Sequence, residues 1–274
     1  MFRTLKKLSS FSFPFLRNSF SSHPLIFKTF APKSDPQHIF QIKQLQESEI
    51  PDATNCIVNA YTRRENIFRS LHFPYDQLFQ CVQQDLIFAL PQDLVFICKD
   101  LKTGKVAGVA YYDDLSYFLY RNTFLNEALV NSYENWAQLE EFYKYCFAFI
   151  ENYAVPTGPN DILHLRWLAA EKEYMKFGIG NYLMQVNRCL HPKVTKARRK
   201  IIVASNEANY HFCTKNGWEL LTKINYRDFR DKKNKRPFEN IGKLEEVNPA
   251  DAFVYILKTE STSNKSCFDE IRQI

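Results

Sequence analysis

The sequence predicts a single α/β domain with a mixed, mainly antiparallel central sheet flanked by helices. Two apolar segments, 93–100 and 105–113, are joined by a Thr-Gly turn, which is the pattern of a β-hairpin. Farther along, the apolar segment 161–170 leads through a glycine-containing turn into an amphipathic stretch at 178–190, which is typical of strand-to-helix units. The chain of 274 residues is 45% apolar, enough to bury one large core, and it contains no internal repeats.

The remaining elements follow from apolar periodicity. Alternating residues predict a strand over 38–46, and helical spacing with prolines near the helix starts predicts helices at 49–61 and 74–89. An aromatic-rich insertion at 114–153 is predicted to hold two helices, at about 122–131 and 135–153. The last part of the domain is predicted as strand 200–205, helix 206–216, strand 218–226, a charged loop and strand 251–258. The domain therefore spans 38–258, and a polar tail occupies 259–274.

Basic charge is concentrated at the amino terminus. The chain has a net charge of +6, but six of its 36 basic residues lie in residues 1–34, which contain no acid. The other 30 balance the 30 acidic residues, so the rest of the chain carries no net charge that would predict a nucleic-acid partner. Residues 1–34 are rich in Ser, Phe and basic residues, which is typical of a mitochondrial transit peptide. We therefore expect a location in, or facing, the mitochondrial matrix; a merely basic tail is the alternative.

Cysteine usage indicates a reducing compartment. The seven cysteines are odd in number and scattered, without a CxxC pair or a Cys/His cluster at zinc-ligand spacing. We therefore predict neither a disulfide framework nor a metal site. No apolar run of about 20 residues occurs, so we predict no membrane span.

The turn after segment 161–170 is the strongest candidate for a binding site. It reads Met175-Lys176-Phe177-Gly178-Ile179-Gly180 and leads directly into a helix. Helix amino termini expose unpaired backbone N–H groups and partial positive charge, and therefore bind phosphate. Glycines at 178 and 180 allow close approach of an anion to the backbone. A tight strand-to-helix turn without a ligand is the alternative explanation of the same glycines.

This segment, EYMKFGIGNYLM, resembles the coenzyme A motif of the GNAT superfamily of N-acetyltransferases, whose pattern is Arg/Gln-x-x-Gly-x-Gly/Ala. Gly178 and Gly180 match the small positions, whereas Met175 stands where the family has Arg or Gln. A second segment, NEANYHFCTKNGW at 206–218, resembles a later helix of the family through Asn206, Lys215, Gly217 and Trp218. The two motifs occur in the family's order, and the resemblance covers roughly 38–258.

The resemblance implies an acetyl-coenzyme A-dependent N-acetyltransferase that transfers an acetyl group to a primary amine by direct attack in a ternary complex. The strand before the turn is expected to separate from the next strand, so that backbone groups of Leu168, Ala169 and Ala170 hold the pantetheine arm. Backbone donors from Met175 to Gly180, together with Asn206, complete the expected coenzyme A site.

The strand at 161–170 supplies the candidate general base. Alternation places His164 and Arg166 on one face, which we expect to line the cleft, and Leu163, Leu165 and Trp167 on the apolar core face. The position of His164 resembles that of a histidine in arylalkylamine N-acetyltransferases. A group that titrates near neutral pH can accept the proton of an ammonium substrate. A satisfied polar residue beneath a loop is the alternative role for His164.

The general acid has two candidates on the later helix. Cys213 stands where the family often has a tyrosine that protonates the departing thiolate, and a thiol has a pKa close to that of the leaving group. A buried small apolar residue is the alternative for Cys213. Tyr210 lies one turn earlier and is the second candidate.

The acceptor is expected to be a small-molecule amine or a protein amine, bound near the early helices and the aromatic insertion. A hypothesis of a different class remains. The departures at Met175 and Cys213 are also compatible with a weak or inactive acetyltransferase fold that serves as an accessory subunit of a mitochondrial protein complex.

Overall fold

The computed structural model describes residues 25–115, 133–148, 161–185, 199–241 and 251–258. They form a sheet of eight strands in the order β1-β2-β3-β4-β5-β6-β8-β7, in which β5 and β6 are parallel and every other neighbouring pair is antiparallel. The strands are β1 Ile26–Phe30, β2 Phe40–Gln44, β3 Val95–Asp100, β4 Val106–Asp114, β5 Ile162–Ala170, β6 Arg199–Ala204, β7 Glu219–Asn225 and β8 Asp251–Lys258. The mixed, mainly antiparallel sheet confirms the predicted fold class.

Helices cover both faces of this sheet. They are α1 Ile50–Arg64, α2 Asn66–Ser70, α3 Tyr75–Ala89, α4 Glu134–Ala148, α5 at 179–185 and α6 Glu207–Lys215. The larger core lies between the sheet and α1, α3 and α4, and the smaller core lies beneath α5 and α6. Both faces of the central strands are therefore buried, and in β5 only Leu168 and Ala170 are partly exposed.

The predicted strands occur at nearly the predicted residues, and α4 falls within the aromatic insertion. The other helix predicted there, near 122–131, lies outside the described residues, as does the tail at 259–274. Among the described residues, no helix is both long and apolar enough to cross a membrane.

Strand β1 was not predicted. It lies within residues 1–34, which the sequence analysis assigned to a leader, and it pairs with β2 from Ile26↔Lys43 to Phe30↔Phe40. The folded domain thus begins before residue 38. Residues 26–30 belong to the sheet. The transit peptide expected in residues 1–34 remains a prediction for the residues that precede β1.

A β-bulge in β5 changes which side chains share a face. Tyr111 of β4 lies opposite Trp167, whereas the next residue, Tyr112, lies opposite Leu165, so Arg166 is the extra residue. The side chains of Arg166 and Trp167 both contact Asp85 of α3 and therefore lie on the same face. The predicted alternation holds up to Arg166 but is wrong at Trp167, because the bulge interrupts the two-residue period.

Helix α5, which follows the glycine turn, packs closely against β4 at Gly108. A Cβ atom at this position would lie 2.7 Å from Cγ2 of Ile179, 3.0 Å from the carbonyl oxygen of Ala169 and 3.1 Å from Cδ1 of Leu183. The missing side chain therefore sets the distance between α5 and the sheet. By contrast, a Cβ atom at Gly180 would meet nothing within 4 Å.

We expect Gly108→Ala to destabilise the protein by about 1–3 kcal/mol, because the added methyl group overpacks the contact between α5 and β4. Gly180→Ala is the matched control and should be neutral or slightly stabilising, since the residue lies in a helix and faces open space. Urea denaturation of both variants measures the difference. Equal stability of the two variants would contradict this packing argument.

Candidate active site

A gap opens where the pairing of β5 and β6 ends. The parallel pairing runs from Ile162↔Arg199 to Leu165↔Ile202 and ends there. Strand β5 nevertheless continues to Ala170, paired on its other side with β4. The backbone edge of β5 beyond Leu165 therefore faces a gap instead of a neighbouring strand, as the sequence analysis expected.

The carboxyl end of α1 lies in this gap. The backbone N–H of Leu168 donates to the hydroxyl of Tyr61 at 3.1 Å, and Nη2 of Arg64 donates to the carbonyl oxygen of Ala170. The predicted groups of Leu168 and Ala170 thus point into the gap, where side chains of α1 engage them. Because backbone groups alternate along a strand, those of Ala169 point towards β4 instead.

The predicted phosphate turn begins with a 3-10 helix, Lys172–Phe177, followed by Gly178 in the left-handed region at φ 69°. Its position is fixed by Tyr174, whose hydroxyl donates to Oδ2 of Asp100 at 3.1 Å, and by Phe177, whose ring lies 5.5 Å from that of Phe40. Gly178 is thus required for the change of chain direction, because a side chain is disfavoured at this φ.

Backbone donors are available at the first turn of α5. The N–H of Gly178 donates to the carbonyl of Met175, and the first bond within α5 runs from Tyr182 N to Gly178 O. The N–H groups of residues 179–181 precede that bond and have no acceptor within the helix. The donors for an anion are therefore shifted from the predicted range Met175–Gly180 towards its end.

The two side chains of the turn expected to lie near an anion are both exposed. Nζ of Lys176 lies 4.9 Å from the centre of the Phe177 ring, and Met175 is 51% exposed. The sulfur of Met175 contacts Nη1 of Arg64. A guanidinium group from α1 therefore lies beside the position at which the resemblance leads one to expect Arg or Gln.

Glu65 is a further candidate for the site, and the sequence did not predict it. It follows α1 directly and is buried, with Oε2 accepting from Oγ of Ser205 at 2.7 Å and Oε1 accepting from Nδ2 of Asn206. Ser205 follows β6, so the Glu65 carboxyl group lies at the β6 side of the gap. Burial raises its pKa, and the hydrogen bonds from Ser205 and Asn206 oppose that rise.

No sequence signal identified Glu65, because an acid after Arg63 and Arg64 at a helix end is ordinarily solvent-exposed. Asn206, predicted to bind the cofactor, has its side chain engaged by protein groups. Its Oδ1 accepts from the N–H of Asn209 at 2.9 Å and caps α6, while its Nδ2 holds Glu65.

The candidate acids differ in exposure. Cys213 is completely buried in the core beneath α6, and burial raises its pKa to about 12. This environment favours the alternative role of a small apolar residue. Tyr210 is half-buried, with its ring 6.3 Å from that of Tyr255, and is therefore the more exposed of the two.

His164 lies outside the gap. It is fully buried beneath α4, where the rings of Tyr143 and Phe147 lie 5.7 Å and 4.9 Å from it, and its Nδ1 is 3.1 Å from Oδ1 of Asp113. The expectation that it lines the cleft is not met, because α4 covers that face of the sheet. These surroundings favour the alternative role of His164, that of a buried polar residue with a protein partner.

Arg166, expected beside His164, ties two helices to β5. Its Nε donates to Asp85 of α3 at 2.5 Å and its Nη2 to Glu140 of α4 at 2.7 Å, and all three residues are buried. A buried arginine that satisfies carboxylates from two elements fixes their relative positions. Arg166 is thus a structural residue that keeps α4 over His164.

In the described part of the chain, no three His, Cys, Asp or Glu side chains are grouped so that they could hold a metal ion.

We expect the pH dependence of stability to reveal the buried carboxyl of Glu65. Its pKa in the folded protein is raised above the ordinary value of 4.5, so the folded state binds more protons than the unfolded state above that pH. Glu65 therefore stabilises the fold at low pH and loses this contribution as pH rises through its folded pKa. Urea denaturation from about pH 4.5 to about pH 8 should show wild type losing stability relative to Glu65→Gln.

Exposed Glu173→Gln is the control, and its stability should keep a constant offset from wild type. If the free energy of unfolding of Glu65→Gln also differs from that of wild type by the same amount at every pH, the pKa of Glu65 is the same in the folded and unfolded states, which contradicts this prediction.

Solved structures share this architecture. An insect putative arylalkylamine N-acetyltransferase 7 from the yellow fever mosquito has a TM-score of 0.67 and 17% identity, covering 89% of this chain and 99% of that one. A mosquito arylalkylamine N-acetyltransferase-like 5b has a TM-score of 0.63 and 15% identity, and the match covers 80% of this chain and 99% of that one. A third match is a Drosophila melanogaster polyamine N-acetyltransferase, which catalyses the formation of N-acetylagmatine. Its TM-score is 0.61 and its identity 13%, and the match covers 80% of this chain and 99% of that one.

No family model matches the chain, and no curated protein does. At these identities the structural likeness establishes the fold alone. The chain therefore has the GNAT fold, in the form found in arylalkylamine and polyamine N-acetyltransferases.

Proposed function

We propose that the protein is an acetyl-coenzyme A-dependent N-acetyltransferase that acts on a small-molecule primary amine. The observation that carries this proposal is the gap between β5 and β6, which has the first turn of α5 at one side and the buried carboxyl of Glu65 at the other. The gap supplies backbone groups for an extended ligand, N–H groups without an acceptor in α5 for phosphate, and one group suited to accept a proton.

The residues present fit acetyl-coenzyme A. The N–H groups of residues 179–181 can accept the pyrophosphate at the amino end of α5. Leu168 and Ala170 direct backbone groups into the gap, where a pantetheine arm could replace the bonds now made by Tyr61 and Arg64. Binding at this edge therefore requires the side chains of α1 to move.

Glu65 is the candidate general base. An amine is protonated at neutral pH and must lose a proton before its nitrogen attacks a thioester. A buried carboxyl with a raised pKa accepts that proton more readily than an exposed one. Attack forms the C–N bond and breaks the C–S bond, and the departing thiolate takes a proton, for which Tyr210 is the candidate donor.

The structural neighbours support an amine acceptor. One forms N-acetylagmatine, and the condensation domain of Ebony, with a TM-score of 0.60 and 14% identity, has been solved with β-alanyl-dopamine. These are properties of those proteins, and we extend to this chain only the class of small amines.

We expect acetyl-coenzyme A to raise the melting temperature of the full chain. A ligand that binds only the folded state stabilises it by about 2.7 kcal/mol at a hundred times its Kd. ATP at the same concentration is the control, because it shares the adenine and phosphates but lacks pantetheine. Absence of stabilisation at millimolar acetyl-coenzyme A would refute the proposed function.

Two matched variants separate the candidate bases. Glu65→Gln should lower kcat by about a hundredfold or more while coenzyme A affinity is retained, because the glutamine oxygen can still accept from Asn206 and its amide can donate to the Ser205 hydroxyl, but glutamine cannot accept the proton. His164→Gln should keep most of the turnover of the folded protein, since His164 is fully buried against the Tyr143 and Phe147 rings of α4. Steady-state assays over a panel of arylalkylamines and polyamines test both, and the reverse pattern would assign the base to His164.

A further inference from the structure

Arg64 is a cation held at the opening of the gap. It belongs to the last turn of α1, and its guanidinium lies between the carbonyl oxygen of Ala170 and the sulfur of Met175. Both partners are uncharged, and the side chain is half-exposed. Among the described residues Arg64 makes no ion pair, although the nearby charge of Arg64 acts to lower the pKa of Glu65.

The acids around the turn are directed elsewhere. Oε1 of Glu171 accepts from Nδ2 of Asn59 at 3.0 Å, and Oε1 of Glu173 lies 3.6 Å from Nζ of Lys105. Glu65 is held by Ser205 and Asn206. Within the described part of the site, the positive charge of Arg64 is therefore left without a carboxylate at hydrogen-bond distance.

The location of this charge is specific. Ala170 ends β5 and Met175 lies in the 3-10 helix that leads to α5, so Arg64 spans the turn whose far end presents the N–H groups of residues 179–181. A guanidinium group offers five donors in a planar fork that suits phosphate oxygens. A hydrogen bond to a charged oxygen is also stronger than one to a carbonyl oxygen.

We propose that Arg64 is the phosphate-binding cation of this site, exchanging the carbonyl of Ala170 for the pyrophosphate of coenzyme A when the ligand enters. The inference rests on the proposed function, since it names a residue of the same site. One movement has two consequences: the guanidinium binds the anion, and the carbonyl of Ala170 becomes available to the pantetheine arm. Arg64 thus occupies the carbonyl of Ala170 in the free protein and binds the pyrophosphate in the complex.

The direct test is the Kd of coenzyme A, measured by calorimetry for wild type, Arg64→Gln and Arg63→Ala. Glutamine can still donate to the carbonyl of Ala170 but carries no charge, so we expect about tenfold or weaker binding. Arg63 is exposed on the same turn of α1, and its variant should bind as wild type does. Unchanged affinity in Arg64→Gln overturns the proposal.

Pantetheine, which has no pyrophosphate, distinguishes a phosphate contact from a general effect on the gap. NMR titration should give wild type and Arg64→Gln the same affinity for pantetheine, because only the anion contact is lost. An equal weakening for coenzyme A and pantetheine would make Arg64 a positioning residue and overturn the proposal. Tighter binding of coenzyme A by the variant would make it an occluding side chain and overturn it as well.

A swap completes the test. Because the ends of the Arg64 and Met175 side chains are in contact, Arg64→Gln/Met175→Arg should return a guanidinium to the same space and recover most of the lost affinity. Failure of the double variant to recover affinity, when near-UV circular dichroism shows it to be folded, counts against the proposal.

If wild type does not bind coenzyme A, the proposed function itself fails; if it binds and Arg64→Gln binds equally, only the role of Arg64 fails.

Discussion

The separation of β5 from β6 is the constraint on which the site depends. A strand edge inside a protein cannot leave its N–H and C=O groups without partners, so the structure must supply them where the ladder ends. Helix α1 does so with Tyr61 at Leu168 and Arg64 at Ala170. The same helix end places Glu65 against the residues that follow β6. One helix terminus thus holds both sides of the gap.

This arrangement joins stability to function. The bonds that Tyr61 and Arg64 make to β5 are the bonds that the proposed extended ligand would replace, so it would compete with α1 for one strand edge. Beneath α4, a different arrangement has formed: Arg166 binds Asp85 and Glu140, and His164 lies under two aromatic rings. There the buried polar groups fix helices to the sheet, which is a structural role.

Much of the fold could be predicted from local patterns. Segment 161–170, the glycine turn and segment 206–216 have the periodicity and turn chemistry of strand, turn and helix, and each was found close to its predicted position. Strand β1 was not predicted because its basic, Ser- and Phe-rich surroundings resemble a leader. Its pairing with β2 depends on a contact that local composition does not encode.

The sequence by itself determined the chain order of strands and helices from residue 38 onwards and, through its resemblance to the coenzyme A motif, the GNAT class of fold. The tertiary structure alone decided which side chains meet in the gap. Glu65 and Ser205 are 140 residues apart, and Arg64 and Met175 are 111 apart, so no local period connects them. The bulge at Arg166 also broke the alternation from which faces were predicted. Periodicity describes one element at a time, whereas a site is formed by the packing of several elements against one another.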